Sequence, residues 1–163
     1  MTDFPRLLTA LADAEVRFII VGGAAATAHG SARLTQDLDI VYDRHPDNLE
    51  RISRALRPYA PYLRGAPPGL PFQLDCDTLQ HGLNFTLSTS IGALDLVGGI
   101  AGGRGYDKLR PDAVEMVIFG SKHLVLGLTK LIQVKRAAGR LRDLETAAEL
   151  EALREENGEA SAN

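Results

Sequence analysis

Asp37 and Asp39 flank one leucine in Asp37-Leu38-Asp39-Ile40, so carboxylates and aliphatic side chains alternate. Alternation of this kind is a strand pattern, and residues two apart on a strand face the same side, about 6.6 Å apart. Two carboxylates on one face repel each other, and removing them from water costs several kcal/mol unless a cation compensates them. A divalent metal is the natural compensator. Hard carboxylate oxygens suit Mg²⁺, which keeps several waters and takes one or two carboxylates together with substrate phosphates. Taken alone, the pair also describes surface acids on an edge strand. It is not an EF-hand loop, because the glycine and the later glutamate such a loop needs are missing.

Asp95 lies in Ile91-Gly-Ala-Leu-Asp-Leu-Val97, a run otherwise suited to burial on both faces. An isolated carboxylate there is costly unless paired. If this strand neighbours the first, about 4.8 Å away, three carboxylates converge on one patch. Three can hold two metal ions about 3.5–4 Å apart, the clamp used for in-line displacement at phosphorus. Read by itself, Asp95 is equally well a hydrogen-bonded structural residue. Gly22-Gly23 follows a strand-like run and precedes a short helix. Glycines there let a backbone approach a phosphate, and a helix start offers free N–H donors. The pair is neither the dinucleotide-binding glycine fingerprint nor a P-loop.

The elements that must position these residues follow from periodicity and punctuation. Asp3 is a candidate N-cap and Pro5 suits the first turn of a helix carrying Leu7, Leu8 and Leu11. Val16–Val21 reads as a buried strand, Ala24–His29 as a short helix stopped by Gly30, and Asp37–Tyr42 as a strand. Pro46 opens a helix through Leu56, and the five prolines between 58 and 71 mark a loop. Leu83–Ser88 with Ile91–Val97 forms an expected hairpin, and Val114–Phe119 with His123–Leu126 are two further short strands. Helices are expected over Thr129–Ala138 and Leu141–Leu153, separated by Gly139. Helices and strands are interspersed, but the later strands come in hairpins. That favours an α+β or mixed α/β domain over a doubly wound parallel sheet.

Val21-Gly22-Gly23, then thirteen residues, then Asp37-Leu38-Asp39-Ile40 resembles the signature of the nucleotidyltransferase superfamily of the DNA polymerase β type. Asp95 matches that family's third carboxylate, which lies on a later strand. Ala24–His29, Gly30, Arg33, Thr35 and the stretch Lys135–Asp143 are similar to the minimal branch that includes AbiEii-type toxins, though those are larger proteins. The likeness spans about Val16 to Leu150. It implies a mixed sheet flanked by helices, with two Mg²⁺ (Mn²⁺ substituting) bound by Asp37, Asp39 and Asp95. Asp95 would also help deprotonate an attacking hydroxyl. Gly22, Gly23, Arg33 and Lys135 would contact the triphosphate of ATP or another nucleoside triphosphate. The implied reaction moves a nucleoside monophosphate to an unknown acceptor, whether RNA, protein or small molecule, and releases pyrophosphate. A cognate antitoxin is an implied partner. The alternatives are a catalytically silent module that binds nucleotide or a partner, and the toxin half of a toxin–antitoxin pair.

Supporting residues carry less. Arg33, four residues before Asp37, suits a phosphate or a salt bridge. Arg140 and Asp143 suit a helix-to-helix pair, and His29 suits packing or hydrogen bonding. The glycine-rich segment 98–105 suits a flap over the cleft or a plain flexible connector. Residues 126–142 carry five cations and no acid, suited to a nucleotide or an RNA backbone, whereas the acidic stretch 143–163 is expected to be a solvated helix face.

The 163 residues fit one domain, expected over 1–154, with 155–163 as a frayed polar tail. A net charge of −3 argues against a strongly basic nucleic-acid coat protein. Cys76 is the sole cysteine, which excludes an intramolecular disulfide and a cysteine-based zinc cage. No run has signal-peptide character or the roughly 20 apolar residues of a membrane span, so the expected compartment is the cytoplasm.

Overall fold

Strand β1 (Phe18–Val21) is buried along its whole length and passes without a loop into helix α2 (Gly22–Ala28). The structure, a computed structural model, describes residues 1–101 and 105–162, with side chains to residue 158. Helix α1 (Phe4–Asp13) precedes β1. The Asp3 carboxylate caps it by accepting from the Arg6 amide at 3.2 Å, and Pro5 sits in its first turn. After α2 come strand β2 (Asp37–Tyr42), helix α3 (Pro46–Leu56) and a two-residue strand β3 (Tyr62–Leu63). Helix α4 (Cys76–His81) leads into strands β4 (Phe85–Thr89) and β5 (Gly92–Val97). The short helix α5 (Tyr106–Leu109), strands β6 (Ala113–Ile118) and β7 (Ser121–Leu126), and helices α6 (Leu128–Ala138) and α7 (Leu141–Ala162) complete the chain.

The seven strands form one mixed sheet in the order β3-β4-β5-β2-β1-β7-β6. Hairpins make up its outer parts, while β2 with β5 and β1 with β7 are parallel. The expected mixed sheet flanked by helices is the architecture found. Leu38, Ile40, Leu87, Leu94 and Leu96 are fully excluded from solvent and join Leu7, Leu11, Leu49 and Ile52 of the helices in one core. Burial of this continuous apolar face is what fixes strand register, because a one-residue slip would turn every side chain to the opposite side. Among the described residues no helix is long and apolar enough to cross a membrane.

Several element bounds differ from expectation for physical reasons. Gly22 and Gly23 lie in the first turn of α2 rather than in a turn before it. The proline-rich segment, expected to be all loop, contains β3, because Tyr62 and Leu63 complete the ladder at the free edge of β4. Helix α7 continues to Ala162 instead of ending near Leu153.

Leu38 sits between the two aspartates but faces the core at 0% exposure. Leu38→Ala should therefore destabilise the protein by about 2–5 kcal/mol in denaturant unfolding. A loss under about 1 kcal/mol would show that this strand face is not packed as described.

Candidate active site

Register places the three acidic residues. In the parallel β2–β5 pair, Asp39 lies opposite Asp95, and Asp37 lies opposite Ala93 one pleat along. Paired residues share a face of the sheet, as do residues two apart on a strand. All three carboxylates therefore leave the same side, opposite the leucines that enter the core. Asp37 and Asp95 keep 43% and 24% of their side-chain exposure, so both remain reachable from solvent.

Asp39 is the most constrained of the three. Burial comes first, then its hydrogen bond with Asp95 and the charges of Asp95 and Asp37; together they push its carboxyl up to about 7, against some relief from Lys135. The packing that buries it involves Gly22. A Cβ at Gly22 would lie 2.1 Å from Asp39 Oδ2, and the residue has a φ of +62°, which favours glycine. At Gly23 a Cβ would lie 2.7 Å from Thr35 Oγ1. The two glycines thus allow α2 to start directly against β2 and the loop before it. The first-turn amides of a helix have no intrahelical acceptors.

Helices α6 and α7 supply cations. Lys135 Nζ lies 3.5 Å from Asp143 Oδ1, and Arg140 Nε donates to Asp143 Oδ2 at 2.6 Å. Burial opposes ionisation of Asp143, but the Arg140 and Lys135 cations outweigh it and hold its carboxyl below the ordinary range. Arg140 and Asp143 do pair, but locally, three residues apart at the start of α7, and not from helix to helix. Arg33 reaches Glu145 of α7 at 3.0 Å, the salt-bridge alternative, while still lining the cleft. The acidic face of α7 is not simply solvated: Glu149 also accepts from Ser31 Oγ at 2.6 Å and from the Ala32 amide at 3.1 Å. Both acids tie down the loop that leads into β2.

A cleft of about 470 Å³ opens here, with Gly23, Arg33, Asp37, Asp39, Lys135 and Arg142 in its walls. A second hollow of about 270 Å³ shares Asp39, Lys135, Arg140 and Asp143 with it and adds Gly22, Val97, Leu131 and Val134. The cleft is polar and rich in cations, and the smaller hollow offers an apolar wall. Of the residues singled out from sequence, Gly22, Gly23, Arg33, Asp37, Asp39 and Lys135 line these two spaces; Asp95 joins them through its pairing with Asp39.

Comparison with known proteins agrees with this geometry at the level of the fold. No family model and no curated protein matches the sequence. Among solved structures, a candidate nucleotidyltransferase from Thermotoga maritima is similar with a TM-score of 0.58 and 17% identity, over 91% of this chain and 94% of that one. The antibiotic-resistance factor ANT(2'')-Ia is similar with a TM-score of 0.54 and 14% identity, over 98% of this chain and 91% of that one. The chain has a nucleotidyltransferase-like fold. In this chain Gly23, Asp37 and Asp39 line the larger cleft, Gly22 lines the adjoining hollow with Asp39, and Asp95 is paired with Asp39 in the β2–β5 ladder.

Two features were missed from sequence. Arg64 follows β3, and its amide donates to the Thr86 carbonyl at 2.9 Å, which continues the ladder by one residue. Thr86 is opposite Asp95, so the guanidinium lies at the end of the Asp39–Asp95 row. Arg64 Nη2 meets Asp95 Oδ1 at 2.8 Å, and Nη1 lies 3.5 Å from Asp37 Oδ2. A segment read as loop gave no signal that this side chain would reach the carboxylates. The second feature is a group formed by Asp43, His45 and Asp107, whose ligand atoms lie within 4.8 Å of one another. Asp43 is already engaged there, by Arg17 Nε at 2.6 Å and His45 Nδ1 at 2.5 Å. His29, as expected, serves structure: its Nε2 donates to the Leu126 carbonyl at 2.8 Å. The expected flap over 98–105 includes Gly102, Gly103 and Arg104, which lie outside the described residues.

The row offers hard oxygen donors of the kind a divalent metal takes, with the Asp39 carboxyl raised by burial and then by its neighbours' charge and a guanidinium between Asp37 and Asp95; among the described residues, however, the group of three whose ligand atoms all lie within 4.8 Å of one another is Asp43, His45 and Asp107. Because the Asp39 carboxyl is raised above its ordinary 3.8, its contribution to stability is full below about 3.8 and is lost as pH rises through about 7. At pH 8 without metal, Asp39→Asn should therefore raise the melting temperature, and the gain should shrink toward pH 4. A fall in melting temperature at pH 8 would mean that Asp39 is not crowded by like charge.

Proposed function

We propose that this protein is a divalent-metal-dependent nucleotidyltransferase that moves a nucleoside monophosphate from a nucleoside triphosphate to a hydroxyl acceptor. The observation that carries the reading is Asp39 in register with Asp95, with Asp37 on the same face and Gly22 packed against Asp39. Asp37, Asp39 and Asp95 would hold Mg²⁺, with Mn²⁺ able to substitute, and the ions would neutralise charge on the triphosphate and acidify the attacking hydroxyl.

The protein's own groups then have separate tasks. The first-turn amides at Gly22 and Gly23 donate to phosphate oxygens, and Lys135 places a cation beside them. Arg140 and Arg142 extend the positive wall where α6 gives way to α7. The Asp95 carboxylate accepts the acceptor's hydroxyl proton. The acceptor oxygen forms a bond to the α-phosphorus as the bond to the bridging oxygen of pyrophosphate breaks. Chemistry of this type consists mainly of positioning and charge neutralisation, which this row of residues is built to provide. The apolar wall of Val97, Leu131 and Val134 offers the nucleobase a surface next to the triphosphate.

The acceptor is an alcohol on RNA, on a protein or on a small molecule. Because a fold neighbour is an antibiotic-resistance factor, the panel of acceptors to test includes antibiotics alongside RNA and protein. With α-labelled nucleoside triphosphates, Mg²⁺ and that panel, the protein should transfer label and release pyrophosphate. Asp37→Asn and Asp39→Asn should each lower the rate by about 10²-fold or more. Nucleotide binding with no transfer to any acceptor, and no difference between wild type and the variants, would instead indicate a silent nucleotide-binding module.

A further inference from the structure

Arg64 places a full positive charge in a position that the metal reading requires for a cation. Its Nη2 contacts Asp95 Oδ1 at 2.8 Å and also donates to the Leu87 carbonyl at 2.6 Å, and Nη1 faces Asp37 Oδ2 at 3.5 Å. The one guanidinium therefore bridges two strands' worth of proposed metal ligands. Its Nε, by contrast, is buried and has no hydrogen-bond partner among the described residues. An arginine with a purely structural role is expected to have its buried donors satisfied, and an orphaned one carries a desolvation cost. The side chain is also 28% exposed, which leaves it a way out toward solvent.

We propose that Arg64 is a resident cation that competes with the divalent metal for Asp37 and Asp95. The inference rests on the metal reading above. In the metal-free protein the guanidinium offsets the repulsion within the carboxylate row and keeps it assembled. Metal entry breaks the contacts to Asp37 and Asp95 and releases the side chain toward the segment that begins at Gly65. The backbone need not move, because the Arg64 amide stays bonded to Thr86 in the β3–β4 ladder. A guanidinium and a divalent ion cannot both take the same carboxylate oxygens at contact distance, so each weakens the binding of the other. Arg64 is thus a positioning residue that acts through Asp37 and Asp95 and sets how much metal the site needs before it loads.

The test is Mn²⁺ binding without nucleotide, followed by the electron paramagnetic resonance of free Mn²⁺, on wild type, Arg64→Gln and Arg64→Lys. Arg64→Gln should bind Mn²⁺ about tenfold more tightly than wild type, the size expected when a charge-assisted hydrogen bond no longer has to be broken. Arg64→Lys, which keeps the charge but not the forked geometry, should fall between them. Binding by Arg64→Gln alone would also support the proposal. Equal or weaker binding by Arg64→Gln, with wild type binding Mn²⁺ at a site lost in Asp37→Asn, would overturn the competition and leave the metal reading standing; wild-type binding unchanged by Asp37→Asn would place the ion elsewhere and overturn both. No binding by any of the three would overturn both. A second readout needs no variant: the Arg64 Nε–H resonance of wild type should shift or exchange faster as Mg²⁺ is added. An unchanged resonance at saturating Mg²⁺ would overturn the proposal even if Arg64→Gln folded poorly.

Discussion

Repulsion between carboxylates held in register is the constraint around which this cleft is arranged. The core fixes the pairing of β2 with β5, since Leu38, Ile40, Leu94 and Leu96 are all fully buried on the far face. Asp39 and Asp95 cannot slide apart without exposing that core. The stability of the fold is thereby used to hold like charges together. A carboxylate pair of this kind stabilises nothing by itself.

The surroundings answer that strain in different ways. Gly22 gives up a side chain so that helix α2 can start against Asp39. Lys135 lowers the cost of ionising Asp39, and Arg64 bridges Asp37 and Asp95. Helix α7 works at one remove. Its Glu145 and Glu149 hold Arg33, Ser31 and Ala32, and so anchor the loop whose end delivers Asp37. Its Asp143 gathers Lys135 and Arg140 on the opposite wall. The charge asymmetry of the C-terminal third, basic in α6 and acidic in α7, is therefore used across the cleft as well as at the surface.

What could be read from sequence was what depends on local pattern. Asp3 and Pro5 mark a helix start through capping chemistry alone, and the structure agrees. Asp37–Tyr42 announces itself as a strand through alternation, and its register then decides which side the aspartates leave. The neighbouring of β2 and β5 could only be posed as a condition, because strand order is a property of the whole sheet. Arg64 was not legible at all. It is delivered by a two-residue strand inside a proline-rich segment, where neither periodicity nor composition signals an edge pairing. The same holds for the Asp43, His45 and Asp107 group, which joins residues far apart in the chain. The acidic stretch of α7 misled in the other direction: exposed glutamates at helical spacing look solvated until a loop packs beside them.

The most direct test of the account is a crystal grown with Mn²⁺ and a non-hydrolysable nucleoside triphosphate, with anomalous scattering used to locate the ions. Mn²⁺ should be bounded by Asp37, Asp39 and Asp95, with phosphates against Gly22 and Gly23 and the Arg64 guanidinium turned away from Asp95. Triphosphate bound elsewhere, or Mn²⁺ only at Asp43, His45 and Asp107 with Arg64 still on Asp95, would contradict it.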